Sequence, residues 1–202
     1  MNTPVMSLKS SEGEKCPRCG RALPCFVLVY LGYLVFLIFS APFLPERVAS
    51  HFGAEGRANG WMSRPAYLLF TGTFPLCLTG LFLGVGRLVR RLPAAYINIP
   101  RKDYWLAPER RAMTEFLIQN RLAGLACLLT LFFGGLHGLT VVANRVTPAR
   151  LPMDGFIVLL IAFLLSVMVW MAMLLMRLAE VDGERKSAGA LDIPPRCPRA
   201  PG

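Results

Sequence analysis

Charged side chains are absent from four long apolar stretches of this chain and crowd into the segments between them. The stretches run from Cys25 to Leu44, Ala66 to Gly86, Leu122 to Ala143 and Gly155 to Met176, and none contains Asp, Glu, Lys or Arg. A helix rising about 1.5 Å per residue needs about 20 residues to cross a hydrocarbon core of about 30 Å, and each stretch has that length. The pattern predicts an all-α integral membrane protein with four transmembrane helices. A compact, glycine-rich external loop would join the first two, and a basic cytoplasmic loop the second and third. Residues 25–176 then form the membrane domain. A tail at 1–24 precedes it, and a tail at 177–202, rich in Pro and small residues, is expected to be disordered.

Composition supports this division. Of 202 residues, 54% are hydrophobic and 17% charged, too few charges to clothe a water-soluble domain of this size. The net charge of +10 flanks the apolar runs and builds no separate basic domain, which argues for anionic lipid headgroups and against nucleic acid. Lys and Arg number four before the first run, three in 45–65, eight in 87–121, two in 144–154 and five in the final tail. Seventeen thus lie on one side and five on the other, so both tails and the middle loop are expected in the cytoplasm. Phe26 to Phe39 followed by Ser40-Ala41 imitates a cleaved signal, but the long preceding tail and full-length run predict a retained anchor.

Within the runs, Gly80/Gly84 and Gly134/Gly138 have the four-residue spacing that lets helix backbones approach. Pro75 removes one backbone donor and frees the carbonyl of Thr71, so a kink is expected there. His137 is the only ionisable side chain, thiols apart, well inside a run. Its simplest role is a neutral hydrogen bond to a neighbouring helix; the sharper alternative has it face the loop that holds His51.

Two loops carry the remaining information. In 44–64, Gly53, Gly56 and Gly60 among polar residues predict a series of tight turns and not a helix, with Trp61 and Tyr67 anchoring it at the headgroups. His51, Glu46 and Glu55 are the candidate ligand or metal contacts, with Trp61 beside them, although their spacing fits no coordination motif. In the basic loop, Asn98, Arg101, Lys102, Asp103, Tyr104, Trp105, Arg110 and Arg111 are candidates for a partner or a lipid surface. Pro108 and Glu109 suit the first turn of a helix running through Phe116 and Asn120 into the third span. Cys16 and Cys19, in Cys-Pro-Arg-Cys-Gly, form half of a zinc-ribbon site. Cys25 or Cys197, or a second protomer, could complete it. Cys77 and Cys127 read as packing residues.

The stretch 44–64 resembles the signature of a family of small bacterial membrane proteins whose domain is of unknown function and also occurs in SdpI-like immunity proteins. The resemblance rests on Pro45, Arg47, His51, Phe52, Gly56, Gly60, Trp61 and Ser63, and the stretch from Asn98 to Arg111 is similar to a second motif of many relatives. It implies a helical protein of the bacterial inner membrane without established enzymatic activity. For SdpI-like members it implies protection against a secreted toxic peptide and sequestration of a regulator. Envelope sensing or self-protection is therefore the leading expectation. A small transporter with His137 and the kinked helix lining a path is the alternative, and a membrane-embedded enzyme using His51 with Glu46 or Glu55 is the least supported.

Overall fold

The first apolar run closes as helix α1 (Ala22–Ser40), and a short 3-10 turn (Ala41–Phe43) follows it. Pro42 has no N–H to offer the preceding turn, so the α-helix stops before the apolar run does. A computed structural model describes residues 22–93, 96 and 105–179 of the chain. Within them follow strands β1 (Arg47–Phe52) and β2 (Ala58–Ser63), then helices α2 (Arg64–Arg91), α3 (Pro108–Ala143) and α4 (Met153–Ala179).

All four helices are long and apolar enough to cross a membrane. The most apolar window, Met153–Met176 in α4, has a mean hydropathy of 2.8 and no buried residue. Such a surface is stable against hydrocarbon and unstable against water, which is the physical sense of a spanning helix. α3 starts with Pro108 in its first turn, as the sequence suggests, and continues unbroken for 36 residues. At about 54 Å it is longer than a hydrocarbon core is thick, so its N-terminal turns project beyond the apolar layer.

α3 is the hub. It packs against α1, α2 and α4, whereas α1 and α2 touch at few residues and α2 and α4 hardly meet. Its glycines make this possible. Gly134 and Gly138 lie under the rings of Tyr33 and Phe36 of α1, and a Cβ on Gly135 would come within 2.6 Å of Leu159 of α4. The pair Gly80/Gly84 behaves otherwise, because among the described residues nothing lies within 4 Å of a Cβ placed on either.

α2 remains one helix through Pro75. The carbonyl that Pro75 frees, that of Thr71, accepts the Tyr33 hydroxyl at 2.8 Å, and the neighbouring Gly72 carbonyl accepts Tyr30 at 2.8 Å. Tyr33 of α1 thus replaces the donor that the proline removes, in a setting where an orphan carbonyl has no water to turn to.

The all-α expectation needs correction at the loop joining α1 and α2. It forms an antiparallel hairpin, with Val48 opposite Met62, Ala49 opposite Trp61 and His51 opposite Gly60. Gly53 and Gly56 turn the chain, and Gly56 adopts φ 76°, the left-handed conformation that glycine takes without steric cost. A Cβ there would also meet the Leu151 carbonyl at 2.8 Å. Gly60 has its own reason, since a Cβ on it would press on the Cβ of His51 at 2.9 Å.

Candidate functional site

The hairpin lies across the ends of α2, α3 and α4. Its inner face places Val48 in a small core with Leu44, Tyr67 and Val141, and Met62 packs against them. Asn144, just past the end of α3, reads the backbone of β1 as a further strand would. Its Oδ1 accepts the Ala49 N–H at 2.8 Å, and its Nδ2 donates to the Ala49 carbonyl at 3.0 Å and the Thr140 carbonyl at 2.8 Å. The turn of the hairpin is tied to the α3–α4 connection, where the Leu151 N–H donates to Gly56 O at 2.8 Å.

Because α2 and α4 both lean on α3 without closing on each other, a cavity of about 610 Å³ opens between them, roofed by the hairpin. Phe70 and Thr71 of α2, Phe133 and Leu136 of α3, and Met153 and Phe156 of α4 form its sides. Ser50, His51, Phe52 and Met62 line it from the hairpin, and Tyr67, His137 and Thr140 supply polar atoms deeper in. An apolar cleft of this size with a few convergent polar groups has the makeup of a small-ligand site.

His137 is fully buried and ties three helices together. Its Nε2 lies 2.6 Å from Ser40 Oγ of α1 and its Nδ1 2.9 Å from the Tyr67 hydroxyl of α2. Ser40 Oγ also donates to the Leu37 carbonyl at 3.0 Å. With the serine proton so directed, Nε2–H donates to Ser40 and Nδ1 accepts from Tyr67, an arrangement that a neutral imidazole fills completely. Phe36 meets the ring edge-on and Tyr67 stacks on it. Both expectations for this histidine contain part of the answer. It is hydrogen-bonded between helices, and it also borders the cavity that His51 lines.

The candidates of the hairpin do not assemble into a metal site. His51 is exposed and its Nδ1 bonds Asn59 Oδ1. Glu55 pairs with Arg57 at 3.6 Å, with both side chains largely in solvent, and Glu46 is exposed. No group of three His, Cys, Asp or Glu side chains gathers among the described residues. Trp61 is about half exposed, on the face of the hairpin turned away from the cavity.

At the opposite end of the bundle, Arg111, expected as a lipid or partner contact, is bound into the fold. Its Nη2 donates to the Leu92 carbonyl at 3.0 Å, just past the end of α2, and its Nε pairs with Glu115 at 3.2 Å. The Trp105 carbonyl accepts the Thr114 hydroxyl at 2.7 Å. Asn98, Arg101, Lys102, Asp103, Tyr104, the side chain of Arg110, and Cys16, Cys19 and Cys197 lie outside the described residues. Cys25 sits in α1, where its thiol neighbours that of Cys127 in α3.

Sequence reasoning missed Asn144, Ser40 and the apolar lining. Asn144 had one readable signal, as a carboxamide at the end of a mostly apolar run. Ser40 and the phenylalanines had none, because they look like any others in a membrane helix.

Among the described residues, the architecture is that of four helices long and apolar enough to cross a membrane, with a hairpin-roofed cleft at one end. Residues 28–74, which span most of α1, the whole hairpin and the start of α2, match a domain of unknown function, DUF1648. The match takes in Ser40 and Tyr67 and stops short of His137 on α3, the partner they share. No curated protein and no solved structure matches the chain.

Proposed function

We propose that the protein is a non-enzymatic receptor of the bacterial inner membrane that takes the apolar part of a secreted, membrane-active peptide into the hairpin-roofed cleft. The carrying observation is the cleft itself, about 610 Å³ between α2 and α4, with aromatic sides and polar atoms at depth. The resemblance of 44–64 to the signature found in SdpI-like immunity proteins points the same way. The excess of Lys and Arg in the other segments supports an orientation with the hairpin outside the cell, where such a peptide arrives. In this reading, binding at the cleft alters the basic segment between α2 and α3, which holds a cytoplasmic regulator. A dimer sharing the Cys16/Cys19 pairs through zinc would be one form of the receptor.

The transporter alternative gains from His51 and His137 bordering one cavity. It is the weaker reading, because Ser40 and Tyr67 already engage both ring nitrogens of His137. Flux impaired by His137→Leu in vesicles would favour it.

The test is genetic. Cells lacking the gene are challenged with a panel of membrane-active peptides, then complemented with the wild type or with Leu136→Trp, which fills the cleft. Sensitivity to at least one peptide, rescued by the wild type and not by the tryptophan variant, is the expected result. Unchanged sensitivity across a broad panel would refute the receptor reading.

A further inference from the structure

The outer edge of the hairpin contains a second arrangement that owes nothing to the cleft. Beyond β2, Arg57 forms an isolated antiparallel bridge with Arg150 of the α3–α4 connection. The bonds that flank it run from Ala58 N–H to Ala149 O at 3.3 Å and from Leu151 N–H to Gly56 O at 2.8 Å. This is the non-hydrogen-bonded kind of pair, in which Cα atoms approach to about 4.5 Å and the two side chains leave on the same face. Like charges placed directly opposite one another destabilise such a pair.

Little among the described residues offsets them. Glu55 approaches Arg57 at 3.6 Å, but side-chain exposures of 81% and 78% leave the pair weak. Arg150 has no ion pair among the described residues. Other arginines at this end have structural tasks: Arg64 donates to the Leu44 carbonyl at 3.2 Å, and Arg145 lies 5.2 Å over the Phe43 ring.

On β2, Asn59, Trp61 and Ser63 are the exposed positions. Trp61 borders the same hollow as the two arginines. Arg57, Arg150, Trp61 and Pro148 line one hollow of about 350 Å³ that contains no acidic side chain. It lies where the apolar helices end, which is the headgroup depth at which tryptophan settles. Every permanently cationic residue in 45–65 and 144–154 is arginine and none is lysine. Arginine's planar fork suits two-point contact with phosphate oxygens.

We propose that Arg57 and Arg150, with Trp61 as the wall, form a binding site for a phosphate group, supplied by an anionic phospholipid headgroup or by free phosphate. The anion sits between the two guanidinium groups and relieves the repulsion that the bridge imposes. The site is independent of the peptide-receptor reading and stands or falls apart from it.

Two arms test it and separate the sources. In the first, the full chain is purified from mixed phosphatidylcholine and phosphatidylglycerol membranes, and the retained phosphatidylglycerol is measured by mass spectrometry. Arg57→Gln and Arg150→Gln should each lower retention about tenfold, as expected for losing one charge-assisted contact. Arg47→Gln, an exposed arginine on the same hairpin, should leave it unchanged. In the second, inorganic phosphate is titrated onto the protein in pure phosphatidylcholine discs, with tryptophan emission as readout and Trp61→Phe as blank. Selective retention without a phosphate response assigns the site to the lipid. A saturable response lost in Arg57→Gln and Arg150→Gln assigns it to free phosphate. Retention unaffected by both variants together with no phosphate response overturns the proposal, and so does an equal loss in Arg47→Gln.

Discussion

Asn144→Ala removes the clamp that holds the hairpin on the helix ends, and its effect can be worked out from the bonds. The side chain makes three, two of them to the backbone of Ala49, which is fully buried. Truncation leaves the Ala49 N–H and C=O without their partner, and each such buried group costs about 1–3 kcal/mol. The clamp lies near the end of α3, where water can reach part of the gap, so about 2–3 kcal/mol in total is the appropriate range. Since about 1.4 kcal/mol is a factor of ten, local opening of β1 should become roughly 30- to 140-fold more frequent. Amide hydrogen exchange followed by mass spectrometry reads this directly, with peptides over 47–52 accelerated and peptides from the middle of α3 unchanged as internal reference. Asn144→Asp sharpens the test. It keeps an acceptor for the Ala49 N–H but turns a carboxylate toward the carbonyls of Ala49 and Thr140, so it should protect no better than alanine. Wild-type exchange over 47–52 in Asn144→Ala would refute the reasoning, because the hairpin would then be held by its apolar contacts alone.

Three further outcomes follow from the packing. Tyr33→Phe strands the Thr71 carbonyl and should lower the detergent-solubilised melting temperature by an amount equivalent to about 1–2 kcal/mol. Adding Pro75→Ala restores an N–H for that carbonyl, so the phenylalanine change should cost measurably less in the alanine background; strict additivity in the double-mutant cycle would contradict the account. Gly56→Ala should destabilise the hairpin by at least about 1–2 kcal/mol, because φ 76° is strained for alanine and the new Cβ meets the Leu151 carbonyl at 2.8 Å; a wild-type exchange profile over the turn would disprove it. Gly135→Val should drive Leu159 and α4 away from α3, whereas Gly80→Val should be tolerated, and equal melting temperatures for the two variants would count against the packing scheme.

The sequence and the structure agree most where one residue has one physical consequence. Pro75 announced a carbonyl in need of a partner, and the structure supplies Tyr33. Pro108 announced a helix start, and α3 begins there. The glycine pairs were less decisive. Gly134/Gly138 face α1 while Gly80/Gly84 face no neighbour among the described residues, because spacing marks a close approach as available and cannot name the helix that uses it. The hairpin was legible as turns and not as strands. Its β1 face departs from strict alternation at a register shift between Ala49 and His51, which hides the period of two.

What the amino-acid sequence determined by itself is the set of spanning segments and the sites of irregular backbone. Both follow from local chemistry: charge-free runs of sufficient length, a proline without a donor, a glycine free to take positive φ. Only the tertiary structure decided that α3 is the hub, that Ser40 and Tyr67 close around His137, and that Asn144 pins the hairpin over a cleft between α2 and α4. Each of those depends on residues roughly 70 to nearly 100 positions apart in the chain. In a membrane, where nearly every side chain of a spanning helix is apolar, composition cannot say which faces meet. That choice is made by a few close-packed glycines and a few polar side chains that must find partners away from water.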